Sequence, residues 1–190
     1  QIALGLLSPT NGPMRVGSGG YAFSDELPEC DGLPGSVGPG QQWGCANAQI
    51  LSEVSPAMHE EFSLRYDRQW LERFALTYYG CCEPLHLKMG ILESIPNLRK
   101  ISMSAWADPA RMAEEGRGRY VLSYKPNPAI FASDTHWHPE WAHRELAETL
   151  EKTRGSKVEI IMKDISTVKF QPRRLWEWAE LAVALADRFA

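Results

Sequence analysis

Leu76-Thr-Tyr-Tyr-Gly-Cys-Cys-Glu-Pro-Leu-His86 reads as a short apolar strand that ends abruptly in reactive groups. Leu76 to Tyr79 is β-prone and uncharged, Gly80 permits close backbone approach or an unusual dihedral, and Cys81, Cys82, Glu83 and His86 follow at once. Thiols, a carboxylate and an imidazole this close in sequence can bind a metal or activate a nucleophile. Adjacent cysteines on a strand point to opposite faces, so at most one turns inward unless the chain bends there. The plainer reading is two small core residues beside an ordinary turn.

Working outward towards the carboxyl end, residues 85–95 carry a short helical pattern and 98–104 a second strand. Asp108-Pro109 opens another helix, closed by Gly116-Arg-Gly118. Residues 120–124 form a third strand, stopped by Lys125-Pro-Asn-Pro128 because prolines cannot continue a ladder. A helix from 139 to about 153 places Ala142, Leu146 and Leu150 on one face. Residues 158–162 give a fourth strand closed by Lys163-Asp164, and 173–189 a last helix with Leu175, Ala179, Ala182, Val183 and Ala186 turned inward.

Towards the amino end, Ser55-Pro56 caps a helix in which Met58, Phe62, Tyr66, Trp70 and Phe74 recur every four positions, the pattern of a core stripe. His59, beside Glu60 and Glu61, falls on the solvated side. Residues 11–45 hold nine of the fifteen glycines and read as one long loop, with Tyr21, Phe23 and Trp43 as its buried anchors. A loop of that size is expected to cover a binding site, here the strand-end face. Residues 2–7 look like the end of one more strand.

Strand and helix thus alternate four times, which calls for an α/β fold with a parallel sheet and helices outside it. Function in parallel folds collects at the carboxyl ends of strands. Those ends carry Cys81-Cys82-Glu83, Ser104-Ala-Trp106, Lys125-Pro-Asn127 and Lys163-Asp164. Taken singly, Trp106 also fits a packing role and Lys163 a solvated terminus.

The 190 residues, 44% of them apolar and seven of them tryptophan, suffice for one domain with a sizeable core. A net charge of -4 with dispersed basic residues gives no nucleic-acid footprint. No apolar run approaches membrane-spanning length, and a cytoplasmic setting is the default expectation. The four cysteines read as thiols, since a chain this long does not depend on disulfide staples. The chain begins with Gln1, in what reads as the middle of a fold, so the expectation is that an amino-terminal part is missing.

The run from Trp43 to the end resembles the carboxyl-terminal half of the uroporphyrinogen decarboxylase superfamily, which includes the cobalamin-dependent methyltransferases. The resemblance rests on Ser55-Pro-Ala-Met-His-Glu-Glu-Phe62, on Lys100-Ile-Ser-Met-Ser-Ala-Trp-Ala-Asp-Pro109 and on Val121-Leu-Ser-Tyr-Lys-Pro-Asn-Pro-Ala-Ile-Phe131. It implies a (β/α)8 TIM-barrel type of which only the later half is present: a single domain over 1–190, with a glycine-rich loop at 11–45 and βα units at 46–190. An open half-barrel would expose apolar sheet edges and one face of its inner layer, so a homo-oligomer is expected.

For chemistry the resemblance implies a corrinoid-linked methyltransferase acting on a thiol, with a small-molecule substrate, a corrinoid carried by a partner protein and a zinc ion. Methyltransferase relatives hold zinc through a His-x-Cys at a strand end and a distant Cys. Here Cys81 stands in the Cys place, Tyr79 replaces the His, and Asp164 is the nearest polar residue to the missing distant Cys. Cys81, Cys82 and His86 are the candidate metal ligands. Glu83 is a further ligand or general base, Lys125 and Asp164 orient substrate, and Trp106, Asn127 and Lys163 contact it. The alternatives are a metal-independent decarboxylase of a tetrapyrrole-like carboxylate held by Lys125, and an inactive truncated fragment. His136 and His138 form a second possible ligand pair.

Overall fold

The computed structural model describes residues 15–17, 20–22, 24–28, 37–133 and 136–190. The strand expected at 2–7, the anchor Phe23 and the thiol Cys30 lie outside these residues. A small antiparallel hairpin, β1 (Arg15–Val16) with β2 (Gly20–Tyr21), precedes the main sheet. That sheet is built from β3 (Trp43–Ala46), β4 (Leu76–Tyr79), β5 (Leu98–Met103), β6 (Val121–Tyr124) and β7 (Lys157–Ile160). All four pairings are parallel, and the strands lie side by side in sequence order.

Between β3 and β4 the chain runs through α1 (Pro56–His59), a π turn (Glu60–Leu64) and α2 (Arg65–Leu71). The later connections contain α3 (Met89–Leu92), α4 (Pro109–Gly116) and α5 (Pro139–Lys152), and α6 (Arg173–Phe189) ends the chain. Side chains start two of these helices. Ser55 accepts a bond from the Met58 amide at 3.2 Å, and Asp108 accepts from Ala110 and Arg111 at 3.0 and 3.3 Å.

Sequential parallel order has one consequence that decides where function can sit. Crossovers of the same hand, each stepping to the next strand in one direction, put the helices on one face of the sheet. The core lies on that side, where Tyr79, Ile101, Met103, Leu122 and Tyr124 meet Leu92, Met112, Leu146, Trp178 and Leu185. The alternate residues face the other way, and Lys100, Ser102, Ser123 and Glu159 make that face polar. Lys100 donates to Glu159 at 2.8 Å and to the Tyr21 carbonyl at 2.6 Å, and Ser123 donates to Glu159. The hairpin packs Val16 and Ala22 on Tyr78, so its described part covers the middle of this polar face rather than the strand ends.

Three further expectations change. The fifth strand of the sheet is Trp43–Ala46, inside the stretch read as loop. Gly44 hides it by breaking the β-prone pattern, yet the gap it leaves is filled by the Phe74 ring, which a Cβ at position 44 would strike. Second, Met58, Phe62, Tyr66 and Trp70 are about half exposed, whereas His59, Leu64 and Leu71 are fully buried. The π turn spaces His59 and Leu64 by five residues, so a strict four-residue repeat drifts off the buried face and only Phe74 rejoins the core. Third, α6 buries Arg174, Trp178, Ala182 and Leu185 and leaves Val183 exposed. Arg174 turns inward because its guanidinium donates to the Phe131 and Ser133 carbonyls at 2.8 and 2.9 Å.

His59 is the anchor of the first helical segment rather than a solvated residue. Its Nε2 lies 2.8 Å from the Tyr79 hydroxyl, which donates to Asp67 at 3.1 Å. A carboxylate only accepts, so Nε2 carries the proton and donates to the tyrosine oxygen. Burial pushes the imidazole pKa down to about 4, helped by nearby Lys88 and opposed by Glu60. The unfolded chain therefore binds the extra proton first. Stability from this site is complete above about pH 6.5 and is lost as pH falls towards 4, by on the order of 1 kcal/mol per unit. Urea unfolding across this range should show that slope, and His59→Gln should flatten it. Among the described residues no helix is long and apolar enough to cross a membrane.

Candidate functional site

The carboxyl ends of four adjacent strands meet beyond β4, and a turn at Gly80 shapes the place. Gly80 has φ of 104°, and a Cβ there would come within 2.5 Å of Leu85 and 3.0 Å of Ser102. Only glycine fits that bend. The strand stops at Tyr79, so the alternation of side chains stops too, and both cysteines reach the same side with their sulfurs 3.6 Å apart.

The turn is fixed from below by Glu83. Its carboxylate is 1% exposed as a residue and accepts from the Cys81 amide at 2.7 Å and from the Ala48 amide, beyond β3, at 3.2 Å. Ser102 on β5 donates to the Cys81 carbonyl at 2.5 Å. Glu83 thus holds the dithiol turn between two neighbouring strands, and both its oxygens are engaged there.

On the open side of the turn, Lys163 beyond β7 brings its ammonium 3.3 Å from the Cys82 sulfur and 3.6 Å from the Cys81 sulfur. It also pairs with Asp164 at 2.8 Å, and the Cys82 thiol donates to that carboxylate at 3.6 Å. A small cleft of about 60 Å³ opens here, lined by Cys82, Ser104, Ala105, Trp106, Lys125, Pro126, Pro128, Lys163 and Asp164. Five residues singled out in the sequence therefore share one cleft: Cys82, Trp106, Lys125, Lys163 and Asp164. Trp106 is 70% exposed and forms its rim. Lys125 forms its floor, its amine donating to the Tyr78 hydroxyl at 3.0 Å, to the Ser123 carbonyl at 2.9 Å and to the Ser123 hydroxyl.

Two residues fall elsewhere. Asn127 accepts from the Ala129 amide at 3.0 Å, capping the 3-10 turn that follows β6, and lines a separate groove with Trp141 and Glu145. His86 does not line the cleft, and its Nδ1 is buried without a hydrogen-bond partner. The pair His136 and His138 does not converge on a ligand set either: His138 stacks on Trp141 and its Nδ1 meets Glu140 at 2.9 Å. Among the described residues no three of His, Cys, Asp and Glu come together as a metal-binding group. The thiols and Asp164 give a zinc ion a start, while a closed set needs a further donor.

The charges sort as follows. Burial works against the Lys163 charge, but its bonds to Asp164 and Cys82 outweigh that and hold it protonated well above the ordinary lysine range. The same bond holds Asp164 below the usual carboxylate range. Burial, followed by the Cys81 thiol, pushes Cys82 up, with Lys163 pulling the other way. Lys125 is driven down to about 7, first by burial.

Sequence reasoning passed over Tyr78, Lys100, Ser102, Ser123 and Glu159, which build the polar face leading to the cleft. Their signal was present as polar residues two apart, Lys100-x-Ser102-x-Ser104 and Ser123-x-Lys125, in strands otherwise apolar. No protein-family model and no curated protein matches the sequence.

Glu83→Ala removes the acceptor for two buried amides and should cost about 1–3 kcal/mol of stability in urea unfolding. Glu83→Gln keeps one acceptor oxygen and should cost less. Equal losses for the two would show that the side chain fills space rather than holds the turn.

Proposed function

We propose that this chain is part of a (β/α)8 barrel of the uroporphyrinogen decarboxylase type, and that its strand-end cleft serves methyl transfer to a thiol. Two features of the fold support the barrel: strictly sequential parallel strands, and helices on one face of the sheet. The observation that carries the functional reading is the convergence of the Cys81 and Cys82 sulfurs on the Lys163 ammonium at the carboxyl edge of the sheet.

In this reading a methylcorrinoid carried by a partner protein would supply an electrophilic methyl group, keeping the bonding electron pair as the new sulfur–carbon bond forms. The chain's own residues prepare the nucleophile. Lys163 is, among the described residues, the cation in direct contact with both sulfurs, and it stabilises negative charge on either. Asp164 fixes the lysine by its ion pair, and Glu83 fixes the turn that presents the thiols. Trp106 walls the mouth of the cleft. No step is assigned to zinc, because the described residues do not complete a ligand set for it.

A metal-independent decarboxylase is the second reading, favoured by the two amines, Lys125 and Lys163, that line the cleft and suit a carboxylate. The cleft volume, about 60 Å³, suits a substrate of few atoms and supports the first reading over a tetrapyrrole.

Methylcobalamin incubated with the protein should lose its methyl group to the Cys81 or Cys82 sulfur, followed by the loss of the methylcobalamin absorbance and by peptide mass spectrometry. The Cys81→Ser, Cys82→Ser double variant should fall to the protein-free rate while keeping its circular dichroism. Equal rates for the folded double variant and the parent would defeat the thiol reading.

A further inference from the structure

We propose that Lys125 is a carbonyl-trapping amine, forming a Schiff base with a short oxo acid that enters the strand-end cleft. The assignment goes beyond the thiol chemistry and rests on a different group.

Lys125 stands at the end of β6, is 4% exposed, and lines the cleft. A lysine in such a place ordinarily takes a carboxylate partner, because an unpaired buried ammonium is costly. Among the described residues none is in contact with its amine, whose partners are the Tyr78 hydroxyl and the carbonyl and hydroxyl of Ser123. Glu159, whose charge acts on Lys125, is already held by Lys100 and by Ser123. These partners are all neutral oxygens: the amine donates to both oxygens of Ser123 and to the Tyr78 hydroxyl. The site thus stores a nucleophile without a competing charge.

The surroundings lower the amine to about 7, by burial first, with Lys163 and Lys100 adding to the effect and Glu159 and Cys81 opposing it. A desolvated lysine beside other cations is the usual setting of an imine-forming amine. Atoms balance without any added oxidant or reductant. The amine nitrogen bonds to the carbonyl carbon to give a carbinolamine. The former carbonyl oxygen then leaves as water with two protons, and the C=N bond remains. Tyr78, 3.0 Å from the nitrogen, is placed to pass a proton to the departing oxygen. An oxo acid is preferred to a neutral aldehyde because Lys163 supplies a positive wall to the same cleft, and its size limits the ligand to a few heavy atoms.

The test is reductive trapping. The protein is incubated with isotopically labelled glyoxylate and cyanoborohydride at pH 7, and modified lysines are quantified by peptide mass spectrometry. Lys125 should be labelled at least about tenfold faster than the exposed Lys152 and Lys157. Its rate should rise through pH 7 and level off. Lys125→Met should lose that one label while keeping the circular dichroism of the parent. The Cys81→Ser, Cys82→Ser variant should retain the label, which separates this assignment from the thiol reading. Labelling of Lys125 no faster than of the exposed lysines would overturn it.

Discussion

The ion pair between Lys100 and Glu159 is the interaction on which the polar side of this sheet depends. It joins β5 to β7 across β6 at 2.8 Å, and Ser123 on the strand between them donates to the same carboxylate. Lys100 also holds the Tyr21 carbonyl, which fastens the amino-terminal hairpin to the sheet. Removing either partner would strand the other charge in a largely buried layer, a loss of about 3–5 kcal/mol in comparable pairs. The pairing has a second effect. By engaging Glu159, it leaves Lys125 to neutral partners among the described residues, and burial then lowers its basicity.

A stacking of constraints follows from there to the cleft. Sequential parallel strands place every carboxyl end on one edge, so residues more than eighty positions apart in sequence, Cys82 and Lys163 or Asp164, become neighbours. The bend at Gly80 then turns two consecutive cysteines to one side, and the buried Glu83 carboxylate holds the bend against β3. None of these features alone makes a site. Together they bring the Cys82 sulfur, two amines and a carboxylate to one small cleft, with the Cys81 sulfur beside it.

Much of this was legible in the sequence because it rests on local chemistry. The alternation of apolar strands with capped helices gives four of the five parallel strands and the extent of α5 and α6 closely. The strand-end groups Cys81, Cys82, Lys125, Lys163 and Asp164 follow once the sheet is parallel. What escaped depends on tertiary packing. Trp43–Ala46 is a strand because Gly44 admits the Phe74 ring, a long-range fit that no local pattern announces. The aromatic stripe from Met58 to Trp70 faces outward because a π turn changes the helical period, and His59 is buried because Tyr79 and Asp67 wait for it. Glu83 reads as a reactive carboxylate from its neighbours and proves to be engaged by two backbone amides. His86 lies close to the cysteines in sequence yet outside the cleft, since it sits within a 3-10 helix (Leu85–Leu87) into which the chain turns after them.

The central claim is that Lys163 and the paired cysteines act as one unit at the strand ends. The most direct measurement is the rate of iodoacetamide alkylation at each cysteine, resolved by peptide mass spectrometry across pH 6 to 10, in the parent and in Lys163→Met. Removing the cation should slow Cys81 and Cys82 by at least about threefold near neutral pH and move their profiles upward, while the exposed Cys45 keeps its rate. Unchanged rates at Cys81 and Cys82 in a folded Lys163→Met protein would contradict the account.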